Sequence, residues 1–516
     1  MPGRVEARAL KAWLGDGHEI ALLDVREAGQ IGEGHLFYSI PLPYSRLETR
    51  LPHLAPNPRA RVVLVDDGDG VAERAAGRAE ALGYSNISIL DGGAPAWAAA
   101  GFTLFKGVNV PSKTFGEMVE HARHTPRLTA PELKERVERG DNLVIVDGRP
   151  LTEHRKMTIP GSRCCPNGEL AVRIGTMAPD PATTIVVNCA GRTRSIIGAQ
   201  TLIDLGVPNP VYALENGTQG WYLAGFPLEN GSTRQYPETR DASRASQAQA
   251  HARRHGVETI PVSEAASWLA DPQQTTYVFD VRTEEEFTAR TLAGARHAPG
   301  GQLIQATDQW VGVRGGRILL VDDEGVRAPM VAAWLRQMGH EAHVLDGGID
   351  AALAIPKRAT PSLPPLPAIA PRDLATRLEA GTIRCIDLRP STEFRRGHAR
   401  GAAWSIRPRL AGTLGEYRGP IAVIGDDGLA RAAALDLHDL GISDVALLEG
   451  GFAGWRKAGL TIETSAGDPP DSACIDYLFF THDRHDGNAA AARQYLAWEL
   501  GLLEQLDAQE RSTFRL

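Results

Sequence analysis

Short apolar runs alternate with longer amphipathic runs along the whole 516-residue chain. The run Thr184 to Val187 is apolar, β-branched and four residues long, which is typical of a buried parallel strand. After a short loop, apolar residues recur at helical spacing from Ile196 to Leu205. This stretch therefore predicts a strand, a tight loop and a helix in succession.

A helix and another strand are predicted just before this stretch. Thr129 and Glu132 have the spacing of a capping box, so a helix is expected to follow Thr129 and to run to about Arg139. Leu143 to Val146 then has the pattern of a strand. The beginning of the chain repeats this order with a helix over Val5 to Trp13 and a strand over Ile20 to Leu23.

Two sequence markers recur four times. The first marker is an apolar strand that ends in Asp-x-Arg. Its aspartate is Asp24, Asp147, Asp280 or Asp387, and these positions lie 123, 133 and 107 residues apart. Some sixty to seventy residues later, each copy has a strand that ends in an acidic-Gly/Asn-Gly turn, at Asp91-Gly92-Gly93, Glu215-Asn216-Gly217, Asp346-Gly347-Gly348 and Glu449-Gly450-Gly451. Such a repeat indicates one structural unit present four times.

Strands and helices alternate within each unit, which favours an α/β fold with a small central parallel sheet flanked by helices. We expect four tandem domains and a tail, with boundaries at 1–105, 121–232, 255–355, 368–462 and 463–516. The polar stretch Gly231 to Arg254 and the proline-rich stretch Ile355 to Pro371 are predicted connectors, the second one stiff. In the tail, Tyr495 to Leu506 has the periodicity of a docking helix.

The loop that begins at Cys189 is the strongest candidate for chemistry. Backbone N–H groups at a helix start are unpaired, and a loop that curls into them forms a cup of partial positive charge. Arg192 and Arg194 add two full charges within five residues of the thiol, which favours the ionised thiolate and an anionic substrate. An isolated cysteine after a strand is more often a small buried hydrophobe, but two arginines are a costly lining for an apolar core.

The other three units lack this cysteine. Counting back from the glycine that closes each helix puts Asp66 in unit one and Asp322 in unit three at its position. In unit four the count reaches Ile424, and a shorter loop would put Gly425 or Asp426 there. We expect these carboxylates to occupy the N–H groups that in unit two are available to substrate.

Composition narrows the class of protein. The net charge of −8 is spread along the chain without a basic face, so nucleic acid is not an expected partner.

The first 30 residues have no signal-like apolar run, and no run reaches membrane-spanning length, so no membrane association and a cytoplasmic location are expected. Five cysteines do not make a disulfide framework. No cofactor is expected, and His482-Asp483-Arg484-His485-Asp486 is a weak metal-binding candidate because further ligands are lacking.

The Asp-x-Arg strand, the Cys-x-Gly-Arg-x-Arg loop and the acidic-Gly-Gly turn together resemble the rhodanese family of sulfurtransferases. The resemblance covers nearly the whole chain as four tandem rhodanese-like domains, of which only the second keeps the cysteine. It implies Cys189 as the nucleophile, which takes sulfur from a small anionic donor such as thiosulfate and passes it from a persulfide to a thiol or to cyanide. It also implies a substrate-binding loop made of Ala190, Gly191, Arg192, Thr193, Arg194 and Ser195.

Other functions are compatible with the same residues. The chain could be a non-catalytic sulfur carrier or scaffold that hands a persulfide to a protein acceptor, which would account for three cysteine-less copies. Phosphatases and arsenate reductases have a similar loop but place an arginine six residues after the cysteine, where this chain has Ser195. Mercaptopyruvate sulfurtransferases typically carry a Cys-Gly-Ser/Thr-Gly-Val-Thr loop. Cys164 and Cys165 are candidates to relay sulfur or to resolve an oxidised Cys189, although packing is the commoner role of such residues.

Overall fold

The chain folds into four similar α/β units. The computed structural model describes residues 2–357, 361–479 and 488–516. Each unit has a five-stranded sheet in which all pairs are parallel, with the strands in the spatial order 1-5-4-2-3 when counted along the unit. This confirms the predicted fold class.

The strands of each sheet are short, as expected for buried parallel sheets. In unit one they are Gly3–Val5, Ala21–Asp24, Ile40–Pro41, Val62–Val65 and Ile87–Leu90. In unit two they are Arg127–Leu128, Leu143–Asp147, Arg163–Cys164, Thr184–Asn188 and Val211–Leu214. In unit three they are Thr259–Ile260, Thr276–Asp280, Arg296–His297, Arg317–Val321 and Glu341–Leu345. In unit four they are Ala368–Ile369, Arg384–Asp387, Ala402–Trp404, Ile421–Ile424 and Val445–Leu448, beside a separate antiparallel pair, His398–Ala399 with Ile462–Glu463.

Helices cover both faces of these sheets. Unit one has Ala7–Trp13, Ala28–Glu33, Leu47–Leu54, Val71–Ala81 and Gly93–Ala99. Unit two has Ala130–Arg139, Leu151–Lys156, Asn167–Met177, Thr193–Asp204 and Gly217–Leu223. Unit three has Val262–Ala270, Glu284–Ala289, Gly300–Gln305 and Arg327–Gln337. Unit four has Pro371–Glu379, Ser391–Arg396, Leu410–Leu414, Asp427–Asp439 and Gly451–Lys457. Further helices are Val110–Arg123, Ala245–Arg254, Ala489–Leu500, Leu502–Gln505 and Ala508–Arg511.

Local signals in the sequence predicted several of these elements closely. The capping box is present: the Thr129 N–H donates to Glu132 Oε2 at 2.8 Å, and the Glu132 N–H donates to Thr129 Oγ1 at 3.4 Å. The prediction of a helix that starts at Val5 was wrong, because Val5 ends an edge strand that pairs with Ile87–Leu90. The helix after the cysteine loop starts at Thr193, three residues before the apolar run at Ile196, because the loop residues form its first turn.

Two helices lie in segments where the sequence analysis placed none. Val110–Arg123 joins units one and two and extends past residue 121, where we expected unit two to begin. Ala245–Arg254 lies inside the polar connector between units two and three. The first of these helices buries Val110, Phe115 and Val119 completely, so it belongs to the core.

One continuous apolar core joins units one, two and three. Its buried side chains come from unit one, from the connecting helix Val110–Arg123, from unit three and from the C-terminal residues Leu502, Leu506 and Phe514. Unit two contributes Ile196 and Ile197 from the helix that follows the cysteine loop. Burial of these side chains therefore fixes that helix against its neighbours outside unit two. Among the described helices, none combines the length and the hydropathy that crossing a bilayer requires.

Buried arginines bind the units to one another. The fully buried Arg407 of unit four donates to both carboxylate oxygens of Glu48 in unit one, at 2.6 and 2.9 Å, and to Asp436 at 2.7 Å. The fully buried Arg327 of unit three donates to Glu169 of unit two at 2.8 Å. Removing one member of such a pair leaves the other charge buried without compensation.

We predict that Arg407→Ala will strongly destabilise the contact between units one and four. The loss should be about 3–5 kcal/mol, because Glu48 and Asp436 would keep their burial and lose their fully buried partner. Arg78, which lies 3.0 Å from Asp436 and 3.8 Å from Glu48, would be the cation left beside them. Urea unfolding of the full chain, followed by tryptophan fluorescence, should show a transition at lower urea than in the wild type.

Arg400→Ala is the matched control for this substitution. Arg400 also belongs to unit four, but its side chain is 65% exposed and lies 3.8 Å from Glu463. Exposed pairs of this kind contribute about 0–1 kcal/mol. Equal shifts for the two variants would contradict the role given to Arg407.

Candidate functional site

Cys189 lies at the junction of a strand and a helix, as the sequence predicted. The strand Thr184–Asn188 ends just before it, and the helix Thr193–Asp204 begins four residues later. Its side chain is 2% exposed, and the Ser195 hydroxyl donates a hydrogen bond to its Sγ at 3.2 Å. The N–H groups of Thr193, Arg194 and Ser195 belong to the first turn of the helix, where no intrahelical acceptor exists.

The equivalent loops of units one and three show where those N–H groups are directed. The Asp322 carboxylate accepts from the N–H groups of Gly325, Val326 and Ala328 at 3.1, 3.0 and 2.9 Å. The Asp66 carboxylate accepts from the N–H groups of Gly68 and Ala72, both at 2.9 Å. The expectation that carboxylates occupy this ring of N–H groups is thus confirmed for both units. In each of the two loops, the ring surrounds the side chain that stands at the position of the cysteine.

Unit four has no comparable ring. Its strand ends at Ile424, and the next helix starts at Asp427, so only Gly425 and Asp426 lie between them. The Asp426 side chain caps that helix by accepting from the Leu429 N–H at 2.9 Å, and it pairs with Arg46 of unit one at 2.6 Å. Of the three alternatives for the cysteine position, Ile424 is therefore a strand residue and Asp426 is an ordinary N-cap.

The acidic-Gly-Gly turn supports the cysteine loop from behind. The Thr218 N–H donates to the Cys189 carbonyl at 2.8 Å, and the Gln219 N–H donates to the Ala190 carbonyl at 3.1 Å. Gly217 has φ +52°, and a Cβ there would lie 2.2 Å from the Cys189 oxygen. Only glycine permits so close an approach, which gives the recurring second glycine of this motif a physical reason.

The Asp-x-Arg motif forms a buried ion pair beside the loop. Arg149 donates to both carboxylate oxygens of Asp147, at 2.9 and 2.6 Å, and Thr158 donates to the same carboxylate at 2.8 Å. Burial alone would raise the pKa of Asp147, but Arg149 outweighs it and holds that pKa below the usual range. Arg149 also lines the cavity in front of Cys189. The sequence analysis used this motif only as a repeat marker and missed its place in the wall.

Arg194 lies in the cavity wall and is paired with a carboxylate. Its guanidinium donates to both oxygens of Glu153, at 2.7 and 2.8 Å. Burial opposes its charge, but Glu153 and, to a smaller extent, Cys189 raise its pKa above the ordinary value. Arg194 is therefore a permanently charged group that interacts electrostatically with the cysteine.

Arg192 is bound by carboxylates of the helix Val110–Arg123. It donates to both oxygens of Glu117, at 2.7 and 3.0 Å, and also to Glu120. Burial opposes the charge on Arg192, but these carboxylates raise its pKa, while burial also raises the pKa of Glu117 to about 7. The two arginines that sequence spacing could not separate thus have different surroundings. Arg192 attaches the loop to the connecting helix, and Arg194 lies beside Glu153.

A cavity of about 340 Å³ opens in front of Cys189. Residues 189 to 194 of the loop form its floor, while Ser195 lies beneath them, in contact with the sulfur. Part of its wall comes from Arg149, Glu153, Lys156 and Met157 of unit two. The rest comes from outside unit two, including Lys113, Gln302, Gln305, Gln309, Tyr495 and Glu499. Sequence reasoning missed these residues because they are up to 310 positions from Cys189 along the chain. The only signal was the predicted docking helix that includes Tyr495.

The C-terminal helix Ala489–Leu500 packs directly on the loop. Thr193 Oγ1 donates to Glu499 Oε1 at 2.9 Å. A Cβ on Gly191 would lie 2.9 Å from Glu499 Oε2 and 3.3 Å from the Tyr495 ring, so a side chain at Gly191 would displace the helix. The tail is thus part of the site.

The other cysteines are buried and free. Burial raises the pKa of Cys164 to about 12, and it raises the pKa of Cys165 well above the usual value for a thiol. The Cys164 thiol donates to the Arg149 carbonyl at 3.3 Å. Both side chains therefore have the surroundings of packing residues. Within the described ranges no group of three or more His, Cys, Asp and Glu side chains could hold a metal ion, and the His482 to Asp486 motif lies outside those ranges.

Comparisons with known proteins agree with this architecture. The structure superposes on the crystal structure of thiosulfate sulfurtransferase from Pseudomonas aeruginosa with a TM-score of 0.91 and a sequence identity of 40%. The match covers 100% of this chain and 99% of that chain. The chain is 32% identical over 88 residues to the thiosulfate sulfurtransferase GlpE of Shewanella oneidensis, which is 16% of this chain and 87% of that protein. It is also 32% identical over 105 residues to an HTH-type transcriptional regulator of Mycobacterium tuberculosis. That match covers 20% of this chain and 45% of the regulator.

The family model of the rhodanese-like domain matches four separate segments of the chain, at residues 6–100, 129–224, 262–354 and 370–458. The four segments correspond to units one to four. Each segment contains four of the five strands of its sheet and leaves out the first strand, which lies at the edge. The matched segments make up most of the chain, which therefore belongs to the rhodanese-like domain family and carries four copies of that domain.

Proposed function

We propose that this protein is a sulfurtransferase that moves the sulfane sulfur of thiosulfate to a small thiol or to cyanide through a persulfide on Cys189. The observation that carries the proposal is the ring of N–H groups, which surrounds a carboxylate in units one and three at the position that Cys189 occupies in unit two, where the Ser195 hydroxyl donates to the sulfur. A site that accommodates a carboxylate is suited to a sulfur anion. The similarity to thiosulfate sulfurtransferases supports the choice of donor.

In the first half-reaction, the Cys189 thiolate attacks the outer sulfur of thiosulfate. A new S–S bond forms, the bond between the two sulfur atoms of thiosulfate breaks, and sulfite leaves with the electron pair. The Ser195 hydroxyl, 3.2 Å from Sγ, stabilises the thiolate before the attack. Arg194 and Arg149 supply positive charge in the wall that the sulfonate group faces.

In the second half-reaction, the acceptor attacks the outer sulfur of the persulfide and Cys189 leaves as a thiolate. Between the two steps the N–H groups of Ala190 to Ser195 hold the persulfide anion. Splitting one transfer into two displacements at the same sulfur is covalent catalysis and predicts ping-pong kinetics.

The burial of Cys189 favours a small acceptor over a protein acceptor. Its side chain is 2% exposed, and unit three and the C-terminal helix form walls around it. A partner protein would have to reach the sulfur past those walls. We therefore rank a pure sulfur-carrier role below enzymatic turnover, and a phosphatase role lower still, because Ser195 occupies the position where those enzymes place an arginine. A reducing, cytoplasmic setting would keep the thiol available.

We predict that thiosulfate will add one sulfur atom, about 32 Da, to the peptide that contains Cys189, as a persulfide intermediate requires. Cyanide or a reducing thiol should remove it. Cys189→Ser should abolish both the mass gain and sulfite release, because a serine hydroxyl does not ionise under these conditions. Intact-protein and peptide mass spectrometry would measure the first result, and a sulfite assay the second.

Cys165→Ser is the control for this experiment, because Cys165 is a buried packing residue of the same unit. It should keep the mass gain. Sulfite release from thiosulfate by the Cys189→Ser protein would end the sulfurtransferase assignment.

We predict that the two loop arginines will behave differently on substitution. Arg194→Ala should lower kcat/KM for thiosulfate roughly 10- to 150-fold, since a hydrogen bond to a charged group contributes about 1.5–3 kcal/mol. Arg194→Lys should restore part of this loss, because lysine keeps the charge but not the paired geometry. Steady-state kinetics with thiosulfate as the varied substrate would measure both effects.

Arg192→Ala is the comparison variant. It leaves Glu117 buried without its partner, so it should lower the free energy of unfolding by about 3–5 kcal/mol. Wild-type kinetics for Arg194→Ala would mean that backbone groups alone bind the sulfonate.

A further inference from the structure

Glu499 is a buried carboxylate with one unused oxygen at the wall of the Cys189 cavity. Its side chain is 1% exposed, and it comes from the helix Ala489–Leu500, outside the four rhodanese-like domains. Oε1 accepts the hydrogen bond from Thr193. Oε2 is buried and has no hydrogen-bond partner among the described residues.

The other carboxylates around the cavity are paired. Glu153 receives two hydrogen bonds from Arg194, and Glu117 receives two from Arg192. Glu120 is also bound by Arg192. The guanidinium of Arg192 is therefore committed to carboxylates of the connecting helix, although its charge still attracts Glu499.

Lys113 is the cation on the same wall as Glu499. Its Nζ lies 4.5 Å from the centroid of the Trp498 ring and 5.0 Å from that of the Tyr495 ring. Its charge is thus engaged by the aromatic side chains of the C-terminal helix. These contacts leave Glu499 Oε2 as an acceptor directed at the loop around Gly191.

A buried acceptor without a donor is costly, and such groups in native proteins call for an explanation. A ligand that brings a protonated nitrogen into the cavity would supply the missing donor and a compensating charge. An anionic donor such as thiosulfate cannot do this, because a carboxylate repels it. The group that suits Glu499 must therefore belong to the second substrate.

We propose that Glu499 binds the ammonium group of the sulfur acceptor, which is a small aminothiol with its amino group close to its thiol. This inference deepens the proposed function and rests on it. With the ammonium group at Glu499 Oε2, the thiol of the same molecule is presented to the persulfide on Cys189. Glu499 is thus a specificity-determining residue supplied by the tail.

The transfer step is balanced without any further reagent. The acceptor thiol loses its proton to solvent, and the resulting thiolate attacks the outer sulfur of the persulfide. The S–S bond to Cys189 breaks, Sγ keeps the electron pair as a thiolate, and the aminothiol leaves as its persulfide. Glu499 takes no part in the proton transfer.

The test compares two acceptors that differ only in charge. Cysteamine carries an ammonium group where 2-mercaptoethanol carries a hydroxyl. Glu499→Gln keeps the shape of the side chain and an acceptor for Thr193 but removes the charge. We expect the ratio of kcat/KM for cysteamine to that for 2-mercaptoethanol, with thiosulfate as donor, to fall at least about tenfold in this variant.

A binding measurement makes the result independent of turnover. The thioether 2-(methylthio)ethylamine carries the same ammonium group but cannot accept sulfur. Titration calorimetry should show that it binds the wild-type full chain and binds the Glu499→Gln chain at least about tenfold more weakly. Glu504→Gln is the matched control, because Glu504 is an exposed carboxylate of the same tail. It should bind the amine like the wild type.

The outcomes separate this inference from the function on which it rests. An unchanged acceptor ratio together with unchanged amine binding in Glu499→Gln would overturn the role of Glu499. An equal loss with both thiols would also overturn it, since that result indicates a structural or proton-transfer role. If thiosulfate added no sulfur to Cys189 but the amine still bound through Glu499, the proposed sulfur transfer would fail while the ammonium site would stand.

Discussion

The structure depends on a ring of backbone N–H groups in units one, two and three, where the fourth strand of the unit passes through a tight loop into its helix. Such a ring is stable only with a negative or strongly accepting group at its centre. Units one and three meet this requirement permanently with Asp66 and Asp322. Unit two places Cys189 there, with the Ser195 hydroxyl as donor to its sulfur. The same backbone constraint thus produces loops closed by a carboxylate in units one and three and a loop with a free thiol in unit two.

The surroundings of the Cys189 loop are not formed by unit two alone. Arg192 ties it to Glu117 of the connecting helix, Ile196 and Ile197 anchor its helix in the shared core, and Thr193 binds the C-terminal helix. Buried arginines such as Arg327 hold the neighbouring units in place. Unit three, which lacks the cysteine, therefore contributes to the site by building part of its wall, which is a physical reason for its presence in the chain.

The sequence predicted the features that depend on local order. The four Asp-x-Arg and acidic-Gly-Gly markers, the capping box at Thr129 and the strand–loop–helix around Cys189 all reflect short-range constraints, such as the close approach of Gly217 to the loop carbonyl. The helix Val110–Arg123 was not predicted, because it is stabilised by burial against several units rather than by its own signals. The carboxylate partners of Arg192 and the place of Glu499 depend on contacts between residues 72 to 308 positions apart, which no local pattern encodes.

The central claim is that the N–H ring of unit two holds a sulfur anion on Cys189. A crystal structure of the full chain after treatment with thiosulfate would test it most directly. The account predicts one additional sulfur atom bonded to Cys189 Sγ and within hydrogen-bonding distance of the N–H groups of the loop between Ala190 and Ser195. An unmodified Cys189, or an added sulfur that points away from these N–H groups, would contradict it.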